Sequence, residues 1–192
     1  LSYAELGPTH HSFEDIAILR CIPKIRIITP SDPNELKVQL KEALSFSGPS
    51  YIRIGKKGEP NLFNKNQKLG IGKANVIHKG YDILIITIGP IASEALNAAK
   101  YLSSKGISVC VACLGSIRPL DQEFLLKMSR QDFKYWITLE EHGLIGGLGS
   151  TILEWLSQKN LLNIIKLKMI GIPNYFIHEL GNQEFLRKKL GL

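Results

Sequence analysis

The chain has 192 residues, 44% of them apolar and 21% charged, with a formal net charge of +7 at neutral pH. That balance suits a globular protein of one large domain or two small ones. It excludes a helical membrane span, because apolar runs such as Asp82–Ile88 fall far short of the roughly 20 residues such a span requires.

The positive charge invites a nucleic-acid reading through counterion release, but the lysines are spread among acids along the whole chain. The tightest basic run, Arg187-Lys188-Lys189, fits the last turn of a terminal helix. Neither nucleic acid nor membrane is therefore an expected partner. Three cysteines give no disulfide framework and suit a reducing, cytoplasmic setting. The opening Leu1–Leu6 lacks the basic and apolar stretches of a signal peptide and reads as part of something longer.

In chain order, Gly7-Pro8-Thr9-His10-His11-Ser12-Phe13 places two imidazoles on a short turn. Ser12 and Asp15 read as a capping pair for a helix over Phe13–Cys21, so the histidines are expected at the helix start. Two readings stay open for them: donors or proton shuttles facing a polar substrate near neutral pH, or rings that only satisfy carbonyls in a tight turn. A strand over Ile25–Thr29, a helix over Pro33–Phe46 and a strand over Ser50–Gly55 follow. Ser31 or Asp32 caps that helix, with Pro33 at its first position. The alternation predicts parallel strands with covering helices. Two strands are too few for a doubly wound layer, so this part is expected to continue upstream of residue 1. Lys56 and Lys57 close the strand, where α/β layers open onto clefts. They read as point charges for a phosphate or as solvated linker lysines.

Residues 56–73 are polar and rich in glycine and asparagine, as a linker is. Strands predicted over Ala74–His78, Asp82–Ile88, Ile107–Cys113, Tyr135–Leu139 and Ile164–Met169 then alternate with helices over Ala92–Ser104, Asp121–Ser129, Gly149–Gln158 and Gln183–Leu190. This predicts a complete three-layer α/β/α unit with right-handed crossovers. Cys110 and Cys113 spell Cys-x-x-Cys, but residues three apart on a strand point to opposite faces, which defeats a redox pair. Gly143-x-x-Gly146-Gly147-x-Gly149-Ser150 precedes a helix. It is neither the dinucleotide fingerprint nor a P-loop; it offers either an anion site at a helix N-terminus or room for close packing.

Gly7–Arg20, Ile22-Pro23-Lys24-Ile25, Thr29–Pro33 and Gly48–Gly55 together resemble the rear part of the pyrimidine-binding domain of transketolases. Ile117–Asp121, Glu140-Glu141-His142, Gly146–Ser150 and Gly171–Phe176 resemble the C-terminal domain of the same group. The resemblance implies an incomplete pyrimidine-domain segment over 1–58, a linker over 59–73 and a C-terminal domain over 74–192. It implies a thiamine-diphosphate-dependent enzyme moving a two-carbon ketol unit between phosphorylated sugars. His10 would bond substrate oxygens beside the reactive carbon of the cofactor, with His11 its neighbour on the substrate. Lys56 would hold a distal phosphate, where many transketolases carry arginine. Leu6 stands where ordinary transketolases have an aspartate that contacts a donor hydroxyl. Glu140-Glu141-His142 would shape a domain or subunit contact. In the relatives the cofactor and its magnesium are held mostly by upstream segments and partly by the other subunit. This chain alone is therefore expected to be inactive and to need an upstream half or N-terminal subunit, in a homodimer or heterotetramer. The same plan is shared by 1-deoxyxylulose-5-phosphate synthases and by the beta subunits of 2-oxoacid dehydrogenases. A non-catalytic dimerisation or regulatory module is the remaining alternative.

Overall fold

Asp32 organises the first part of the chain in the computed structural model, which describes residues 1–56, 58–64 and 67–192. Its Oδ1 accepts the Glu35 N–H at 2.7 Å and caps helix α2 (Pro33–Leu44), while Pro33 sits where no N–H is needed. Its Oδ2 accepts the Leu62 and Phe63 N–H groups at 2.8 and 2.9 Å. One carboxylate thus starts a helix and fastens the polar stretch read as linker, burying Phe63 beside Ala92 and Cys113.

Strands β1 (Arg26–Ile28) and β2 (Ser50–Ile52) pair in parallel, as the alternation predicts. A third strand joins them: β6 (Ser116–Arg118) arrives from far along the chain and pairs antiparallel with β1. A three-residue strand is too short to carry a period, so sequence patterning gives only two. Arg118 reinforces the junction, donating to the carbonyls of Ile22 and Arg20 at 2.7 Å.

The larger sheet has the order β3-β5-β4-β7-β8, formed by β3 (Asn75–His78), β4 (Ile83–Thr87), β5 (Val109–Cys113), β7 (Tyr135–Gly143) and β8 (Leu167–Ile172). Only β3 runs antiparallel. Its central strands are buried on both faces, which is why they read as continuous apolar runs. On one face Leu84, Ile86, Ala112 and Trp136 pack against Leu125 of α4 (Gln122–Ser129) and Ile152 and Leu156 of α5 (Leu148–Gln158). On the other, Ile85, Val109 and Val111 pack against Ala95 and Ala99 of α3 (Ala92–Ser103). Cys110 belongs to the first core and Cys113 to the Phe63 cluster, so the two thiols are separated as the strand argument requires. No helix of the described residues is long and apolar enough to cross a membrane.

Two elements differ from the sequence reading. The first helix, α1, is only Asp15–Leu19 and has no side-chain cap. Asp15 is drawn instead to Tyr51 and Arg53, so the Ser12/Asp15 capping pair does not form. Strand β7 runs on to Gly143 because its polar end, Glu140-Glu141-His142, is buried among partners. The last helix, α6 (Gln183–Leu190), lies as predicted. Its Leu186 packs with Leu1, Ala4, Phe13 and Ile177, under the segment that carries the histidines.

Glu35 is fully buried on α2; Oε2 accepts the Ser31 N–H at 2.7 Å and Oε1 has no partner. Burial pushes its pKa up to about 7. The folded state then holds a proton that the unfolded state has released between the ordinary carboxylate range and pH 7, so stability falls as pH rises through that window. Glu35→Gln is expected to flatten this dependence and to stabilise the chain at pH 8 by roughly 1–3 kcal/mol, measured by urea unfolding at pH 5 and 8.

Candidate active site

A cleft of about 280 Å³ opens where the His10 turn, the carboxyl end of β2, the turn after β4 and the end of β7 meet. His10 ends a 3-10 turn (Pro8–His10) set up by Gly7, whose φ of 72° places it in the left-handed region that favours glycine. The His10 ring is exposed to the cleft, with Nδ1 3.0 Å from the Thr9 hydroxyl. Among the described residues its Nε2 has no hydrogen-bond partner, so this nitrogen is available to a ligand.

The other expected site residues are placed differently. His11 does not line this cleft. Its ring lies against Phe13, centroids 4.9 Å apart, with both nitrogens shielded from solvent and without hydrogen-bond partners. Burial pushes its pKa down, so the ring is held neutral. Lys56 lines an adjoining cavity of about 170 Å³ beside Ser31, Asp32 and Glu59. The two cavities share Ile54 and Pro90 as walls. The Lys56 ammonium stands 3.6 Å from the Glu5 carboxylate and 5.0 Å from the centre of the ring of Tyr3, which lines the His10 cleft. Lys57 lies outside the described residues. Leu6 is half exposed on the neighbouring 3-10 turn.

Sequence patterning alone misses the residues that build the floor. Arg53 follows β2 and donates from Nε to Asp15 at 2.9 Å, and from Nη2 to the carbonyls of Ser12 and Glu141 at 2.8 and 3.0 Å. The Tyr51 hydroxyl donates to the same Asp15 oxygen at 2.7 Å. Burial, then that hydrogen bond, pushes the tyrosine pKa up to about 12, so it remains a phenol. The signal was available: a tyrosine and an arginine alternate with Ile52 and Ile54 in an otherwise apolar strand, which asks for buried partners.

The end of β7 closes the site from below. Glu140 accepts the Leu148 and Gly149 N–H groups at 2.6 and 2.8 Å, at the start of α5. The anion that the glycine-rich loop invites is therefore this internal carboxylate. Burial lifts its pKa to about 7 against the pull of those two donors. Glu141 accepts from Arg187 Nε at 2.6 Å and from the Gln183 amide at 3.1 Å. His142 is fully buried: Nδ1 donates to the Gly143 carbonyl at 2.8 Å, and Nε2 accepts from the Ala17 N–H at 3.4 Å. Burial lowers its pKa, which favours this neutral tautomer. These three residues bridge β7 to α1, α5 and α6.

Chemically, the cleft offers an imidazole nitrogen and the adjoining cavity an ammonium, donors suited to hydroxyl and phosphate oxygens. Of the cleft's carboxylates, Glu141 accepts from Gln183 and Arg187, and Asp15 accepts from Tyr51 and Arg53 through Oδ2 while its buried Oδ1 has no hydrogen-bond partner. Among the described residues no group of His, Cys, Asp and Glu side chains is placed to hold a metal ion.

Comparison with known proteins matches residues 1–59 to "Transketolase, pyrimidine binding domain" and residues 72–191 to "Transketolase, C-terminal domain". The chain belongs to the transketolase family. The first region is a fragment of a pyrimidine-binding domain and the second a C-terminal domain, in an α/β architecture. One subunit of the apulose-4-phosphate transketolase of Actinobacillus succinogenes is 35% identical over the full chain, which spans 60% of that protein. The 1-deoxy-D-xylulose-5-phosphate synthase 1 of Geobacter sulfurreducens is 38% identical over 97% of the chain, which spans 29% of it. A solved split-gene transketolase, described as an inactive beta4 tetramer, superposes with a TM-score of 0.84 at 32% identity, over 96% of this chain and 58% of that one. The chain thus spans less than two thirds of the length of each of these relatives. Members of the transketolase family use thiamine diphosphate.

In this transketolase-family chain the join between β7 and α5 leaves no room at Gly147, where a Cβ would overlap the Glu140 carboxylate and the His142 ring. Gly147→Ala is expected to destabilise the chain by about 1–3 kcal/mol, read from the midpoint of urea unfolding.

Proposed function

We propose that this chain is the C-terminal portion of a transketolase-like, thiamine-diphosphate-dependent transferase that moves a two-carbon ketol unit between phosphorylated sugars, working in the cytoplasm with an N-terminal partner subunit or upstream half. The observation that carries this reading is the His10 nitrogen, without a partner among the described residues, in a cleft that adjoins the cavity lined by Lys56. When bound, the cofactor supplies the carbon nucleophile. His10 donates to or accepts from a substrate hydroxyl, and Lys56 exchanges Glu5 for the distal phosphate. A carboxylate for the cofactor ring and a site for its diphosphate and magnesium come from the partner, which makes the isolated chain inactive. His11, shielded against Phe13, acts on the substrate only through the shape of the turn.

The synthase reading rests on the Geobacter sulfurreducens relative and on Leu6, an apolar side chain that gives a donor sugar no hydrogen bond. Turnover that requires pyruvate selects that reading; turnover between two sugar phosphates selects ketol transfer.

The test is reconstitution with the upstream half and assay of ketol transfer. His10→Asn is expected to lower kcat/KM by about 10²–10⁴-fold. Lys56→Ala is expected to raise KM for the phosphorylated substrate about tenfold, the loss of one charge-assisted hydrogen bond, with kcat little changed. Full activity in both variants rejects the site.

A further inference from the structure

We propose that Arg53 is a positioning residue through which the C-terminal helix α6 fixes the turn that carries His10. The proposal rests on the role given to His10 above and assigns the C-terminal domain a part in the site.

The contacts form one continuous path. From α6, Arg187 Nε and the Gln183 amide hold the Glu141 carboxylate at 2.6 and 3.1 Å. The Glu141 backbone carbonyl then accepts one Nη2 proton of Arg53 at 3.0 Å, and the Ser12 carbonyl accepts the other at 2.8 Å. Ser12 is two residues from His10. Nε of the same guanidinium is held at 2.9 Å by Asp15, which Tyr51 fixes in turn. Three acceptors, two from the stretch joining the His10 turn to α1 and one from β7, are therefore read by one planar group.

The chemistry requires arginine. A guanidinium presents its donors in a fixed fork, so the directions to Asp15, Ser12 and Glu141 are set together. A lysine ammonium carries the charge but has one nitrogen, and cannot span the three acceptors. Burial makes the tie effective: Asp15 and Glu141 are 9% and 5% exposed, so water competes poorly for either pair. A second contact acts in parallel. Leu186 of α6 is buried against Ala4 and Phe13, which flank the His10 turn on both sides. α6 thus grips the turn by a polar and an apolar route, although none of its own residues lines the cleft.

The test uses the full chain. Hydrogen exchange over residues 7–13 and the His10 ring proton resonance are measured in Arg53→Lys, in Arg187→Gln and in Leu156→Ala. The last lies in the core beside Ile152, outside the hydrogen-bonded path, and serves as a control, compared at matched stability by adding urea. Exchange over 7–13 is expected to rise at least tenfold in both arginine variants, with a shifted His10 resonance, while the control keeps wild-type values. Equal exchange in the arginine variants and the control overturns the proposal. In the reconstituted enzyme Arg187→Gln is expected to lower kcat several-fold and leave KM within twofold, because Arg187 is outside the cleft; a change in KM alone contradicts positioning. If the reconstituted enzyme transfers no ketol unit although exchange behaves as expected, the role of His10 fails and the Arg53 tie stands.

Discussion

Three consecutive buried polar residues at the end of β7 hold the rest of the structure in place. Burying Glu140, Glu141 and His142 without partners would cost several kcal/mol each, so each is matched to a different segment. Glu140 fixes the start of α5 through two backbone N–H groups. Glu141 binds α6 by its side chain and Arg53 by its carbonyl. His142 binds the backbone of α1. Because a strand side chain alternates faces, three neighbours can reach three elements, and the segment that carries His10 is seated on all of them.

The cleft follows from this seating. β2 ends where β7 ends, and Tyr51 and Arg53 at that point are satisfied by Asp15 and by backbone carbonyls. Most polar atoms of the floor are used in building it, and His10 and, across the shared wall of Ile54 and Pro90, Lys56 face the two cavities. On the proposed function, the imidazole and the ammonium serve the substrate side of the reaction, and the cofactor side falls to another segment.

Much of the fold was legible in the sequence. Continuous apolar runs marked β4 and β5, Asp32-Pro33 marked the start of α2, and the placing of Cys110 and Cys113 on opposite faces followed from strand geometry. What stayed hidden has a common physical origin in long-range partners. β6 is too short to show a period and exists because β1 needs a neighbour. The last residues of β7 look like loop until their buried partners are known. Ser12 and Asp15 match a capping pair locally, yet Arg53 and Tyr51 draw that carboxylate away from the helix. In the site, His10 was legible as a ring on a turn, whereas adjacent spacing could not tell it from His11, which faces Phe13. The Tyr51/Arg53 floor required knowing which segments meet.

The central claim is that this chain carries the substrate side of a shared transketolase site. It is tested most directly by calorimetric titration of thiamine diphosphate and magnesium into the chain alone and into its mixture with the upstream half. Saturable binding in the mixture and none to the chain alone is the predicted result. Tight binding by the chain alone, or no binding in either, contradicts it.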